Sequence, residues 1–381
     1  MVFPKIRWKP AGPRRGKSAR HPLPSREAMR ILRPVLATLA LPVELEHVQA
    51  AAARLQMAQV SRTPLLQSRW VDSKTGVSAH FKCEHLQMTG SFKVRGATNA
   101  VFSLDEAAAR RGVVAHSSGN HGAGCAAAAA ARQVPCAVIV PHTTPASKIE
   151  NMKRYGADVI LCEPTQRART QTSEAEAARR QATLVHPYDD VLVIAGQGTI
   201  GLELVEEVPH LDAVLVPTSG GGLITGIAAA IKALRPCCRI IACEPAGKRL
   251  QDSLAAGTRV LDPAVADAAI DTIADAIRTQ PLGEHPWTLA KALLDSTVLS
   301  VTDEQIRAAM RISLVEMKQA VEPAGAVALA ALLSPAFSTV RDTGVIDNGA
   351  WRPLRNVAAI ICGGNVDPGV LCRILARDIK S

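Results

Sequence analysis

The feature that most constrains this chain is an alternation of two periodicities. Seven short β-branched or apolar runs, at 78–84, 112–117, 136–141, 157–163, 212–217, 239–245 and 357–364, have the length of buried strands. Between them lie segments with helical spacing and glycine punctuation, among them 119–133, 145–156 and 221–234. Strands that alternate with helices pair in parallel and are covered by helices on both faces, so the reading is α/β with two doubly wound parallel-sheet domains. A small domain is expected at 111–187, inserted in a larger one built from 35–110 and 188–381. No repeat recurs at a fixed period. Residues 341–356, rich in turn formers, read as a surface insertion.

Charge narrows the field further. The formal balance of +10 is concentrated at one end: residues 1–30 hold nine Lys/Arg and a single acid, Glu27, which leaves only +2 for everything after them. The basic excess therefore belongs to a proline-rich tail, residues 1–34, expected to be disordered, and not to a nucleic-acid-binding face. With 3% aromatic residues there is little for bases to stack on, so nucleic acid is not an expected partner. No apolar run is long enough to cross a bilayer; the alanine-rich stretch beginning at Gly122 stops at Arg132. Nine cysteines without a Cys-x-x-Cys pair read as small core residues in a reducing compartment. A cytoplasmic location is expected, with mitochondria as the alternative if the tail is a presequence.

Ligands of open α/β sheets sit beyond the carboxyl ends of the strands, and four such loops carry candidate chemistry. In "MTGSFKVRGA" (88–97), Lys93 lies between Phe92 and a small-residue helix start; partial desolvation there would lower its pKa and let it condense with carbonyl compounds. In "TSGGGL" (218–223), Ser219, Gly220, Gly221 and Gly222 form a loop whose backbone N–H groups suit a single phosphate at a helix N-terminus. The Gly-x-Gly-x-x-Gly and Gly-Lys-Ser/Thr spacings of nucleotide sites are absent from it. In "HSSGNHGAG" (116–124), Ser117, Ser118 and Asn120 either hold a carboxylate or merely cap the helix. In "IICGGNVDPG" (360–369), Cys362 ends a strand before two glycines.

Taken together these loops, with "TPLL", "FKCEHLQ", "YGADVILCEP", "HPYDD", "IAGQGTIGLE", "TIAD", "VEPAGA" and "GGNVD", resemble the fold type II, tryptophan synthase β-like pyridoxal-phosphate enzymes over about residues 60–370. Within that family they are most similar to the serine racemase and serine/threonine dehydratase group. The resemblance implies pyridoxal 5'-phosphate held between the two domains, its aldehyde on Lys93, and its ring and 3-hydroxyl against Phe92 and Asn120. Its phosphate would lie on Ser219–Gly222 and Leu223, with Cys362 beside the ring nitrogen. A neutral thiol at that place suits elimination or racemisation better than transamination. An amino-acid carboxylate is implied at Ser117, Gly119, Asn120 and His121, assisted by Arg169. Lys93 then serves as one catalytic acid–base group and Ser118, on the opposite substrate face, as the other.

The expected reaction is dehydration and deamination of L-serine and L-threonine to a 2-oxo acid and ammonia. Serine racemisation at the same site is the alternative: Ser118 favours it, whereas Tyr188 and Cys362 resemble dehydratase choices. β-Replacement and a retired, RNA-binding scaffold are weaker readings. Glu244 matches one acid of the racemases' divalent-metal site, but the second acidic position is Leu250, with Lys248 close by. Because a hard cation needs several oxygen ligands, no metal is expected. The resemblance also implies a homodimer. With 14 residues beyond Asp367, no regulatory domain and no isoleucine feedback are expected.

Overall fold

The computed structural model describes residues 41–117, 119–260, 270–347 and 350–376. The expected tail at 1–34 and Ser118 lie outside them. Ten strands form two sheets. The larger has the order β1 (Leu65–Gln67), β2 (Ser78–Lys82), β12 (Asn356–Ile360), β7 (Ala213–Pro217), β8 (Arg239–Pro245), β9 (Val298–Val301). Its neighbours run parallel except β1, which joins β2 antiparallel at the edge. The smaller sheet, entirely parallel, has the order β5 (Asp158–Cys162), β4 (Cys136–Pro141), β3 (Val113–His116), β6 (Thr183–Leu184). All seven expected runs are strands, and β3, β4 and β7 are buried along their whole length. This is why they read as unbroken apolar stretches and not as alternating ones.

Three sheet strands escape the apolar pattern: β1, β6 and β9 are two to four residues long and half-buried at sheet edges. The expected surface insertion at 341–356 carries more regular structure than its turn formers suggest. It contains the end of helix Pro335–Thr343 and an antiparallel pair, β10 (Val345–Asp347) with β11 (Ala350–Arg352). Arg352 ties this pair to the core, because its guanidinium donates to both oxygens of Asp212 at 2.7 and 3.1 Å, just before β7.

Helix Lys93–Phe102 is the common wall of the two sheet systems. Ala97, Ala100 and Val101 enter the core under the smaller sheet, together with Val193 of helix Val191–Glu207, so that core recruits residues outside 111–187. The two helices cross at backbone contact. A Cβ on Gly196 would lie 2.6 Å from the Gly96 Cα and 2.7 Å from the Arg95 carbonyl oxygen. On its other side the same long helix meets helix Gly222–Leu234, where a Cβ on Gly226 would lie 2.2 Å from the Ile194 carbonyl oxygen. No side chain fits at either crossing without moving the helices apart.

A buried charge network locks this arrangement. Arg95, 1% exposed, donates to Glu84 at 2.8 Å through Nε and Nη2 and to Glu203 at 2.6 and 3.0 Å. Lys82, at the end of β2, pairs with Glu203 at 2.7 Å and Glu207 at 3.2 Å and donates to the Thr63 carbonyl. Fully paired and hydrogen-bonded, these charges offset much of their desolvation; with one partner removed the others would be stranded. Arg95→Met is therefore expected to lower the unfolding free energy by about 3–5 kcal/mol, measured by chemical denaturation; a loss inside experimental error would contradict the network's role.

Candidate active site

The carboxyl ends of β2, β3, β7 and β12 open toward one region, and each is followed by one of the four loops identified in the sequence. Lys93 is the first residue of its helix. Its Nζ donates to the Pro187 carbonyl at 2.7 Å and lies 5.1 Å from the centre of the Phe92 ring. Burial lowers the ammonium from 10.5 to about 8, and the neighbouring Cys362 and Cys125 offset this only in part. Phe92 N–H donates to the Cys362 carbonyl at 3.2 Å, so the lysine segment and the loop after β12 are joined through the main chain. The Cys362 thiol donates to the Ala324 carbonyl at 3.4 Å, and burial holds it protonated far above the usual thiol range.

After β7, Ser219 and Gly220 lead to Gly221, whose φ of 97° is in the left-handed region, and helix Gly222–Leu234 begins with no side chain capping it. A Cβ on Gly220 would lie 2.4 Å from the Tyr188 ring, so that ring covers the loop. Leu223 belongs to this loop only through its backbone amide; its side chain is buried in the hydrophobic core.

After β3 the Ser117 hydroxyl accepts from Gly119 N–H at 3.1 Å, and helix Asn120–Arg132 also starts without a side-chain cap. Its first amides form an anion-binding end. His121 occupies the first turn, yet its imidazole faces inward: Nε2 is 3.0 Å from the Val185 carbonyl and 3.4 Å from Cys125 Sγ. Burial and Lys93 keep the ring neutral, so Nε2–H donates to Val185 and any contribution of His121 to an anion comes from its backbone N–H. Arg169, on helix Gln166–Arg180, acts electrostatically on His116 and Tyr188, and its buried Nε has no partner among the described residues.

Two groups that matter here carry no cofactor- or substrate-binding role in the sequence reading, although Tyr188 reads there as a dehydratase-like choice. Glu322, buried at the start of helix Pro323–Leu332, accepts from Asn120 Nδ2 at 2.8 Å, and Asn365 Nδ2 donates to Asn120 Oδ1 at 2.9 Å. The "VEPAGA" and "GGNVD" motifs were the available signal. Burial, reinforced by Asp275, raises the Glu322 carboxyl to about 7, while Lys148 and Asn120 pull it down. Lys148 itself pairs with Asp275 at 2.7 Å.

The second group is the "HPYDD" loop. Besides the Pro187 and Tyr188 contacts, His186 packs edge-on against His116 and Tyr188 with centroids 5.6 and 4.7 Å apart. Asp189 accepts from the Glu284 and His285 amides, and Asp190 caps helix Val191–Glu207. Burial and the positive charge of Arg169, with His186 beside it, lower His116 to about 4, so the wall is uncharged at neutral pH.

These residues fit pyridoxal phosphate. The loop at Gly220–Gly222 has no room for side chains and ends on an uncapped helix, as a phosphate requires; the desolvated Lys93 amine suits an aldehyde, and the protonated Cys362 suits a neutral ring nitrogen. The fold and this cradle define the pyridoxal-phosphate-dependent class. Residues 57–363 match the family model described as "Pyridoxal-phosphate dependent enzyme", and the chain belongs to that family.

Within it, the chain is 41% identical to the serine racemase of Oryza sativa subsp. indica, over 88% of this chain and 94% of that one. It is 39% identical to the beta-hydroxyaspartate dehydratase of Paracoccus denitrificans, over 84% and 96%. The solved maize serine racemase superposes with a TM-score of 0.80 at 40% identity, covering 87% of this chain and 96% of the other.

The burial of Lys93 and Glu322 has two expected outcomes. The apoprotein should capture pyridoxal phosphate faster as pH rises, levelling off above about 8 as the Lys93 amine loses its proton; absorbance-followed reconstitution across that range is the check, and a rate independent of pH would count against the assignment. For Glu322, unfolding releases a proton between about 4.5 and 7, so its contribution to stability is present at low pH and declines across that window. Glu322→Gln should flatten that part of the melting-temperature profile.

Proposed function

We propose that this enzyme racemises serine, with β-elimination of water from L-serine and L-threonine as a second reaction at the same site. The order reverses the expectation from sequence, because serine racemases at about 40% identity over nearly the whole chain lend racemisation the stronger support. The observation that carries the reading is the Lys93 amine: desolvated, lowered to about 8 and pointed at the backbone carbonyl of Pro187, it is poised to exchange a proton near neutrality. Pyridoxal phosphate, when bound, supplies the electron sink that makes an amino acid's α-hydrogen acidic.

The protein's own groups do the rest. The helix end at Gly119–His121 binds the substrate carboxylate, and Arg169 adds positive charge from the side. Glu322 and Asn365 hold the Asn120 amide in one orientation. The uncharged wall of His116, His186 and Tyr188 excludes water, so proton exchange takes place in a medium of low dielectric. Lys93 takes the α-proton from one face. Ser118, the neighbour of Ser117 in the carboxylate loop, returns one to the opposite face and so inverts the centre.

Elimination is supported by Tyr188 and Cys362, which resemble dehydratase choices, and by the likeness to a beta-hydroxyaspartate dehydratase. Both reactions share the first proton transfer and separate at its fate.

Incubation with L-serine, followed by chiral chromatography and a 2-oxo acid assay on the same samples, is expected to detect D-serine and pyruvate together. Ser118→Ala should reduce D-serine formation by about 10²-fold or more and leave 2-oxo acid release within severalfold, whereas Lys93→Ala should abolish both. D-Serine formed at the wild-type rate by Ser118→Ala would remove that residue from the mechanism.

A further inference from the structure

At the carboxyl end of β8, Glu244 is fully buried and has no side-chain hydrogen-bond partner among the described residues; the Leu250 backbone N–H and the charge of Lys248 act on its carboxyl. Four residues later Lys248, also buried, sends its ammonium to the Thr218 carbonyl at 2.9 Å. Thr218 is the hinge between β7 and the phosphate loop. Its N–H donates to the Cys243 carbonyl at 2.8 Å and its hydroxyl to the Val216 carbonyl at 2.9 Å. The root of the loop is therefore held from the β8 side, by the residue before Glu244 and by Lys248.

A divalent ion does not fit this corner. The position at which the related racemases carry a second acid is Leu250, which is packed in the hydrophobic core and offers no side-chain oxygen. Among the described residues no three His, Cys, Asp or Glu side chains come together, whereas Ca²⁺ or Mg²⁺ needs at least six oxygen ligands. What the corner does contain is one buried carboxyl and one buried amine: burial pushes Glu244 up to about 7 and Lys248 down to about 8, and the charge of each opposes the shift of the other.

We propose that the Lys248 ammonium is a built-in substitute for a divalent cation: it balances Glu244 and fixes the phosphate loop through the Thr218 carbonyl, so the holoenzyme neither binds nor needs a metal ion there. An ammonium of fixed position does by covalent attachment what an exchangeable ion does by coordination. Its loss leaves Glu244 without a counter-charge and Thr218 without its donor, and the consequence appears first in the grip on the cofactor phosphate. Lys248 is thus a positioning residue. The inference rests on the cofactor site and is independent of which reaction follows.

The test uses chelator-treated holoenzyme titrated with MgCl₂ and, separately, CaCl₂, followed by thermal denaturation, calorimetry and turnover. No shift and no binding heat are expected, and a saturable response of the wild type to either ion overturns the proposal. Lys248→Met is expected to weaken cofactor affinity about tenfold or more, read from the cofactor's absorbance on dilution; unchanged affinity also overturns it. Lys248→Ala combined with Leu250→Asp restores space and an oxygen ligand, and Mg²⁺ or Ca²⁺ is expected to recover the lost affinity. A double variant indifferent to both ions would refute the substitution. If Lys248→Met fails to fold, Lys248→Met with Glu244→Gln, which removes both charges, is expected to fold yet still bind cofactor weakly; wild-type affinity in that pair rejects the role at Thr218.

Discussion

The site depends on the burial of one guanidinium. Arg95 is two residues beyond Lys93, and its bonds to Glu84 and Glu203 fasten the start of that helix to the turn that follows β2 and to helix Val191–Glu207 at once. Lys82 closes the network from β2. Such an arrangement is costly to desolvate and is sustained by complete pairing, so it specifies one geometry more strongly than it adds stability. Specification is what the proposed role of Lys93 requires, because the amine's position is set by a helix that cannot slide.

Around that anchor the chain removes charge from the reaction space. His116, His121 and His186 are held neutral by burial, Cys125 and Cys362 are held as thiols, and Glu322 is pushed toward its protonated form. The Lys93 amine is lowered by the same cause. One physical effect, loss of solvent, thus gives an oxyanion-binding helix end its strength and a lysine its basicity. The "HPYDD" loop concentrates this effect, for its five consecutive residues touch the lysine, the glycine loop, the histidine wall and two helix starts.

Much of this was legible in the sequence where a single local constraint dominates. The seven buried runs are strands because full burial on both faces demands continuous apolar residues, and the glycine loops were legible because only glycine permits the approach they make. Short edge strands such as β6 and β9 were not, since half-buried residues at an edge carry no distinctive pattern. Motifs pointed to Leu223 and His121 but could not tell backbone from side chain: the Leu223 side chain is packed in the hydrophobic core, and the imidazole of His121 turns inward to Val185. Glu322 was hidden for a different reason. A carboxylate 202 residues from Asn120 becomes its partner only once β12 and helix Pro323–Leu332 are packed together. The preference between elimination and racemisation depends on side chains that differ by one or two atoms, which no periodicity reports.

The glycine crossing between the helices at Gly96 and Gly196 sets a boundary for anyone wishing to redirect this catalyst. Variant libraries that randomise the walls behind the lysine would sample mostly collapsed proteins, because even a methyl group there collides with main chain. Useful diversity instead lies on the rim, at the carboxylate loop, at Tyr188 and at Arg169, where a new side chain changes what enters without shifting the scaffold that aligns the reacting atoms.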